Sequence, residues 1–235
     1  MPFKRIEVDP GGDTLIILPQ RGGAPREKPL FTTESKPLFI TEGKPLFITG
    51  SKPLFITGSK PMFTTESKPD DSGTLPEIHY LVSKKHLALA SRRAQKMFAG
   101  DYKEAVPNDT DGLHHWKFDP IFDPTAFEIV IRIIHGKTRY IPRLVTIQIL
   151  ADISVIVDDL ECQDAVWFFT KGWIDLLKGG IPTVACQDLT RWILISFVFK
   201  EPDLFESSTR TAIRWSPYYI PTHNLPLRPK IVGTL

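Results

Sequence analysis

The segment IHYLVSKKHLALASRRAQKMFAG, residues 78–100, decides the fold because it joins a strand directly to a helix. Residues 78–82 are mostly β-branched or aromatic, which predicts a short strand. Ser83 follows at the position where a side-chain oxygen caps a helix. Beyond it the apolar side chains recur with helical spacing, and Gly100 ends the predicted helix. The residues predicted to lie on its inward face are Leu87, Ala90, Ala94, Met97 and Phe98.

Two more short strands are predicted on either side of this segment. The phrase GDTLIILP, residues 12–19, is β-branched and bounded by turn residues. Downstream, Trp116 and Phe118 alternate with polar residues, which predicts a short half-buried strand. Strand, strand and helix therefore form the predicted opening unit.

A cluster of helices is predicted in the second half of the chain. Asp123 and Pro124 supply the cap and the first residue of one helix, which ends at Gly136. Further helices are predicted over residues 146–158, 161–178, 186–199 and 203–215. The predicted inward positions are Phe127, Val130, Ile131 and Ile134 in the first of these helices, Ile149, Leu150, Ile153, Ile156 and Val157 in the second, and Ala165, Phe168, Phe169, Trp173 and Leu176 in the third. A few short strands followed by a helical cluster make an α+β domain.

Residues 28–67 consist of five consecutive copies of an eight-residue phrase of the type KPLFITGS. Proline at every eighth position excludes a helix and limits any strand to about four residues. A stacked β-solenoid is one alternative, because five similar phrases can align. The phrase has no inward and outward alternation that would fill a core, so residues 20–76 are predicted to be a disordered insert.

Composition and charge exclude several classes of protein. The 235 residues are 42% hydrophobic, enough for a core, and carry a net charge of +2. The lysines and glutamates of the repeats account for that charge, so no nucleic-acid partner is expected. No signal peptide or membrane-spanning stretch is expected, and Cys162 and Cys186 are predicted to be small apolar core residues. A soluble intracellular protein of the cytoplasm and/or nucleus, without a membrane partner, is predicted.

No residues form a recognisable catalytic, cofactor-binding or metal-binding pattern. Residues 109–112 resemble part of a calcium loop but lack carboxylates at the required spacing, so a turn is predicted. His114 and His115 are neighbours on a strand and point to opposite faces, which disfavours a shared metal ion. His86 and His135 lie beside apolar helices and are predicted to be structural. We therefore expect a protein that is not an enzyme and has no cofactor and no small-molecule substrate.

The order of these phrases, from GDTLIILP through residues 78–100 to FDPTAFEIVIRIIHG, resembles the BTB/POZ domain of fungal proteins. The residues that match the family signature, for which a structural role is implied, are Asp13, His86, Leu89, Ala90, Met97 and Phe98. Ala94 departs from the pattern, because the family commonly has an aromatic residue there. The resemblance implies a BTB/POZ-like domain over residues 12–178, interrupted between its first two strands by the insert at 20–76. The flanking segments are an N-terminal tail (1–11), a C-terminal helical extension (183–216) and a loosely ordered tail (217–235).

The same resemblance implies a protein–protein interaction module. Members of the family self-associate, recruit protein partners or, in some cases, attach substrates to a cullin ubiquitin ligase. Members of the last group carry a hydrophobic residue, any residue and Glu just after the Met-Phe pair, and Tyr102 and Glu104 stand at that place. We therefore predict Tyr102 and Glu104 as a candidate cullin contact, with a homodimer as another expected assembly.

Three alternatives to the cullin contact follow from the sequence. Tyr102 can instead pack back on its own domain. The protein can act as an oligomerisation scaffold without ubiquitin chemistry. The repeats can also serve as an extended peptide that a partner's groove binds, since each copy offers one lysine and two apolar anchors.

Overall fold

The computed structural model describes most of the chain outside the repeats. The described residues are 3–20, 76–215, 222 and 225. The predicted insert at 20–76 and the predicted tail at 217–235 lie outside them except at four positions, so both stay predictions. The described residues form an α+β fold of four short strands and seven helices, which confirms the predicted class.

Four strands and two helices come first along the chain, and five helices follow. The strands are β1 (Lys4–Glu7), β2 (Thr14–Pro19), β3 (Glu77–Val82) and β4 (His114–Lys117). The helices are α1 (Lys84–Ala90), α2 (Arg92–Ala99), α3 (Pro124–Ile134), α4 (Ile147–Leu160), α5 (Gln163–Leu177), α6 (Gln187–Val198) and α7 (Pro202–Trp215). Single 3-10 turns lie at Lys103–Ala105, Thr138–Tyr140 and Lys178–Gly180. None of the helices within the described residues is long and apolar enough to cross a membrane.

The sheet has the strand order β1-β3-β2-β4. β2 and β3 pair antiparallel, from Thr14 opposite Val82 to Pro19 opposite Glu77, while β4 runs parallel to β2. Just beyond this pairing the backbone N–H of Gln20 donates to the carbonyl of Pro76 at 2.8 Å. The predicted strand pair on either side of the repeats is therefore confirmed.

The N-terminal residues 1–11, predicted to be a tail, contain the edge strand β1. Lys4–Glu7 pairs in parallel with β3, and the following Val8 is buried in the core. The inward side chains are Ile6 and Val8, which alternate as a strand requires. The strand is only four residues long and three of them are charged, so its sequence has little β character of its own.

The single helix predicted after Ser83 is two helices, because Ser91 interrupts it. Ser91 has extended backbone angles, and its side chain accepts a hydrogen bond from the Ala94 N–H at 3.0 Å, which caps α2. The same hydroxyl donates to the Leu160 carbonyl at the end of α4, at 2.5 Å. A buried hydroxyl needs such partners, and meeting both requirements places a bend between α1 and α2.

Helices α3 and α4 form the centre of the core. All the inward positions predicted for these two helices are buried, namely Phe127, Val130, Ile131, Ile134, Ile149, Leu150, Ile153, Ile156 and Val157. As predicted, Asp123 caps α3, and its carboxylate accepts from the N–H groups of Thr125 and Ala126 at 3.0 Å. The predicted helical extension at 183–216 shares this core, since Trp192 and Ile195 of α6 pack in the same cluster.

Helix α5 turns a different face to the core from the predicted one. Of the predicted inward residues, Trp173 is buried, but Phe168 is 75% exposed and Leu176 is 65% exposed. The buried residues of α5 are Val166, Thr170, Trp173 and Ile174. These four recur at helical spacing, so α5 has two apolar stripes and only one of them meets α3 and α4.

The two cysteines differ in burial. Cys162 is a buried core residue, as predicted, and burial raises the pKa of its thiol to about 12. Cys186 is exposed, so its predicted core position is wrong. It lies at the residue before α6, where the chain has not yet entered the core.

Candidate functional site

The candidate contact formed by Tyr102 and Glu104 lies on a short turn directly after α2. Helix α2 ends at Ala99, and the Lys103–Ala105 turn begins three residues after Gly100. The Ala105 N–H donates to the Tyr102 carbonyl at 2.9 Å and closes the turn. The backbone that carries both candidate residues is therefore fixed by its own hydrogen bond.

The ring of Tyr102 lies against Gly100 while keeping much of its surface in solvent. A Cβ atom at Gly100 would come within 2.8 Å of Cε2 of Tyr102, a clash that glycine avoids. The side chain of Tyr102 is nevertheless 58% exposed. Tyr102 thus packs back on its own domain along one edge of the ring, and the remaining surface is accessible to a partner.

Tyr102 and Glu104 line one shallow cavity of about 340 Å³ between α2 and β4. Its apolar wall comes from Met97 and Trp116, both buried. The remaining lining residues are Arg93, Lys96, Lys117 and Glu161. The cavity therefore has an apolar interior and a charged rim, as protein-binding surfaces commonly do.

The cations at this rim already have acidic partners. Arg93 lies over the ring of Trp116 at 5.7 Å and forms an ion pair with Asp159. Burial raises the pKa of Asp159, and the Arg93 guanidinium opposes part of that rise. Lys96 and Lys117 pair with Glu161 at 3.8 Å and with Glu77 at 3.0 Å, respectively.

Glu104, in contrast, has no ion partner among residues 3–20 and 76–215. Its carboxylate is partly exposed at the same rim. A partner group that carries a positive charge or an N–H donor can therefore bind Glu104 without first displacing an internal ion pair.

Three residues of the family signature hold this region together. One carboxylate oxygen of Asp13 accepts from the Lys84 N–H at 2.7 Å and from the Thr14 hydroxyl at 3.2 Å, which fixes the start of α1 to β2. Met97 is buried beside the cavity. Phe98 meets the Trp116 ring edge-on at 5.9 Å. These contacts attach Asp13, Met97 and Phe98 to the structure around the cavity, and their roles as family-signature residues stay predictions.

The signature residues of α1 have mixed positions. Ala90 packs against the core, and the exposed His86 lies 5.1 Å from the ring of His135. Leu89, in contrast, is 89% exposed. Helix geometry explains the difference, since Leu87 and Ala90 are three residues apart on the inward face and Leu89 lies between them.

Histidine 135 links α3 to the start of α1. Its Nδ1–H donates to the Ile131 carbonyl at 2.8 Å, and its Nε2 accepts from the Ser83 N–H at 3.0 Å. Only a neutral imidazole makes both bonds. Burial, aided by the nearby His86, holds the pKa of His135 below its usual value. The predicted structural role of His135 is therefore confirmed.

The side chains that the sequence offered as weak candidates for metal ligands make other contacts in the structure. His114 is buried, with Nε2 at 3.4 Å from the Lys84 ammonium, whereas His115 bonds the Asp111 carboxylate at 2.8 Å. The segment at 109–112 is a turn in which the Gly112 N–H donates to the Asn108 carbonyl at 2.8 Å. Within the part of the chain that the structure describes, no three His, Cys, Asp or Glu side chains converge as a metal site.

Sequence reasoning missed the cavity wall around the candidate contact. Trp116 and Arg93 come from β4 and α2, and Asp159, the partner of Arg93, comes from α4. The inward position of Trp116 was predictable, since this residue alternates with the polar Lys117. The pairing of Arg93 with Asp159 was not predictable from local sequence, because it joins positions 66 residues apart.

The chain matches no family model, and a search of the curated proteins finds no similar sequence. The resemblance to the BTB/POZ domain therefore rests on the order of the strands and helices and on the signature residues themselves.

Proposed function

We propose that this chain is a protein–protein interaction module of the BTB/POZ type that recruits partners through the surface around Tyr102. The observation that supports it best is the exposed Tyr102 ring beside Glu104 on one hydrogen-bonded turn. The structural contacts of Asp13, Met97 and Phe98 support the same family. The proposed function includes no catalytic step. The proposed location of the protein is the cytoplasm and/or nucleus, where free thiols stay reduced.

An exposed tyrosine on a fixed turn suits an apolar pocket of a partner. Burying such an aromatic side chain removes about 150–250 Å² from water, and its two side-chain torsions keep the entropy cost small. A carboxylate two residues later adds a charge-assisted hydrogen bond and fixes the register. In some BTB/POZ proteins this position binds a cullin, so the specific role that we propose is a substrate adaptor of a cullin ubiquitin ligase.

The test is recovery of a cullin from cell extract by the full-length protein, followed by titration with the purified cullin. Tyr102→Ala and Glu104→Lys are each expected to weaken binding by about tenfold or more, the size of effect that central contact residues produce. Tyr140→Ala is the matched control, since Tyr140 is also an exposed tyrosine but lies outside this cavity.

Unfolding curves of the same variants separate binding from folding. Both candidate side chains are at least partly exposed, so we expect the free energy of unfolding to change by less than about 0.5 kcal/mol. Equal cullin binding by wild type, Tyr102→Ala and Glu104→Lys would sink the cullin assignment.

Self-association through α1 is a second candidate function, favoured by the exposed Leu89. This side chain lines a cavity of about 560 Å³ whose apolar residues include Ile133 and Ile134. In a two-fold contact, Leu89 of each copy would enter the cavity of the other and bury apolar surface twice. Light scattering is expected to show a dimer that Leu89→Lys converts to monomer and Tyr102→Ala leaves intact. A wild-type monomer at every concentration tested would exclude this function.

A further inference from the structure

The outer face of α5 carries large apolar side chains that the fold does not bury. Trp167 is 60% exposed, and Phe168 and Leu176 are exposed to a similar extent. Phe168 and Leu176 are eight residues apart, and Gly172 lies midway between them, so the three share one side of the helix. An exposed apolar stripe of this size commonly marks a surface that binds a partner.

This stripe forms one wall of a groove of about 760 Å³. The opposite wall is the connection from Thr138 to Arg143, which precedes α4. The indole N–H of Trp173 donates to the Pro142 carbonyl at 3.2 Å and ties the two walls together. The groove is therefore formed before any ligand arrives, which keeps the cost of binding low.

Gly172 leaves the groove open along the helix. A Cβ atom added at Gly172 would meet no atom within 4 Å. Glycine is a poor residue for a helix interior, and nothing in the surrounding fold requires it at this position. A Cβ atom at position 172 would therefore lie at the groove without displacing any described residue.

The charge at the groove is positive. Arg139 and Arg143 lie on its wall and are exposed, and neither has a carboxylate partner in the described part of the chain. Lys171, the remaining cation of the lining, is paired with Glu201 at 2.9 Å. Asp175 is the single carboxylate of the lining, and it pairs with Lys178 at 2.8 Å. The uncompensated charge at the groove therefore comes from the two arginines.

We propose that this groove binds an acidic peptide segment of another protein. Aliphatic or aromatic side chains of the peptide lie on Phe168 and Leu176, and its carboxylates pair with Arg139 and Arg143. An apolar wall next to two free guanidinium groups provides both the area and the electrostatic complementarity for such a ligand. The surface is separate from the cavity around Tyr102.

Charge complementarity also disfavours the repeats, the C-terminal segment and a second copy of the chain as occupants. The repeats at 28–67 hold five lysines and three glutamates, so they are basic. Residues 216–235 contain Arg228 and Lys230 but no Asp or Glu. A second copy in a two-fold contact would bring the same two arginines towards each other. Each of these contacts places like charges at the groove, whereas an acidic partner neutralises them.

The test uses the full chain and two fluorescein-labelled peptides, EDLFEDLFED and its basic counterpart KKLFKKLFKK, in fluorescence anisotropy titrations. We expect the acidic peptide to bind and the basic peptide to bind at least about tenfold more weakly. Gly172→Leu places a bulky side chain in the groove, and the double variant Arg139→Glu with Arg143→Glu reverses its charge. Each variant is expected to weaken binding of the acidic peptide by about tenfold or more. Arg214→Glu, on α7 outside the groove, is the matched control and is expected to leave the Kd unchanged.

Several results would overturn the proposal. Equal binding of the two peptides would show that charge does not select the ligand, and an unchanged Kd in Gly172→Leu would place the peptide elsewhere. Tighter binding of the repeat peptide KPLFITGSKPLFITGS would assign the groove to the array. A dimer in light scattering that Gly172→Leu dissociates would assign it to a second copy. Cullin binding through Tyr102 is expected to be unaffected by Gly172→Leu, so the two functions fail independently.

Discussion

Helices α4 and α5 are neighbours of almost equal length, 14 and 15 residues, yet they use their apolar side chains differently. Every predicted inward residue of α4 is buried. In α5 the predicted stripe is largely outside, with Phe168 and Leu176 in solvent. Helical spacing therefore identifies an apolar stripe but does not say which stripe meets the core when a helix has two.

The neighbours of each helix explain the difference. Helix α4 packs against α2, α3, α5 and α6, so its apolar side chains are covered on several sides. Within the described residues, helix α5 packs mainly against α3 and α4, and Phe168 and Leu176 on its outer side are exposed. The apolar residues of α4 serve the fold, whereas those on the outer side of α5 are available for binding.

The largest expected effect is on stability when α4 is truncated. Ile153 is fully buried, so Ile153→Ala is expected to lower the free energy of unfolding by about 2–5 kcal/mol. Urea unfolding followed by circular dichroism measures the loss. Ile213→Ala on α7 is the matched control, because Ile213 is half exposed. Similar losses of unfolding free energy for the two variants would contradict the assignment of Ile153 to the core and Ile213 to the surface.

A smaller loss is expected where α4 meets the start of α2. Ser91→Ala removes the bond to the Leu160 carbonyl and the cap of α2, and leaves a buried carbonyl without a partner. Such a change costs about 1–3 kcal/mol of unfolding free energy. Ser207→Ala, at an exposed serine of α7, is the control in the same urea titration. A loss no greater than that of Ser207→Ala would mean that Ser91 does not hold α4 in place.

Glycine substitution sharpens the comparison on the α5 side. Gly172→Ala is expected to raise the free energy of unfolding by up to about 1 kcal/mol, because alanine favours a helix and position 172 is open. Gly136→Ala is the matched control, since Gly136 has a positive φ of 66° and alanine is strained there. Thermal unfolding of both variants is expected to show stability changes of opposite sign. Destabilisation by Gly172→Ala would contradict an open outer face of α5.

The smallest expected effect is a pH dependence at the end of α3, the helix that contacts both α4 and α5. The pKa of His135 is lowered by burial and by His86, with partial opposition from the hydrogen bond to the Ile131 carbonyl and from Asp9. The unfolded chain therefore binds more protons than the folded chain in the pH window just below the ordinary histidine pKa of about 6.5. The stabilisation is complete above that pH and is lost as the pH falls through the window.

Melting temperatures across this range test the pH dependence directly. His135→Gln removes the titrating group while leaving the other histidines, so its melting temperature is expected to fall less steeply with acidification than that of wild type. Parallel curves for the two proteins would show that the neutral His135 bonds do not set the acid sensitivity.

Local patterns in the sequence predicted the elements with strong spacing. The strands β2 and β3, the Asp123 cap of α3 and the inward face of α4 follow from apolar period and capping residues. Strand β1 was not predictable, because three of its four residues are charged and its inclusion depends on pairing with β3. The break at Ser91 depends on a carbonyl 69 residues away, which no local pattern contains.

The candidate site was predictable only in part. Tyr102 and Glu104 were identified through their place after the Met97-Phe98 pair. The cavity beside them depends on Arg93 and Trp116, which come together only through tertiary packing. The sequence indicated the groove of α5 only indirectly, since the helix has more apolar positions than one face can hold.

The most direct measurement of the difference between α4 and α5 is the free energy of unfolding of Phe168→Ala, determined beside Ile153→Ala in the same urea titration. Because Phe168 is 75% exposed, its loss is expected to alter stability by less than about 0.5 kcal/mol. A loss of about 3 kcal/mol or more, the size found for buried phenylalanines, would show that this side chain supports the fold and would contradict a free binding face on α5.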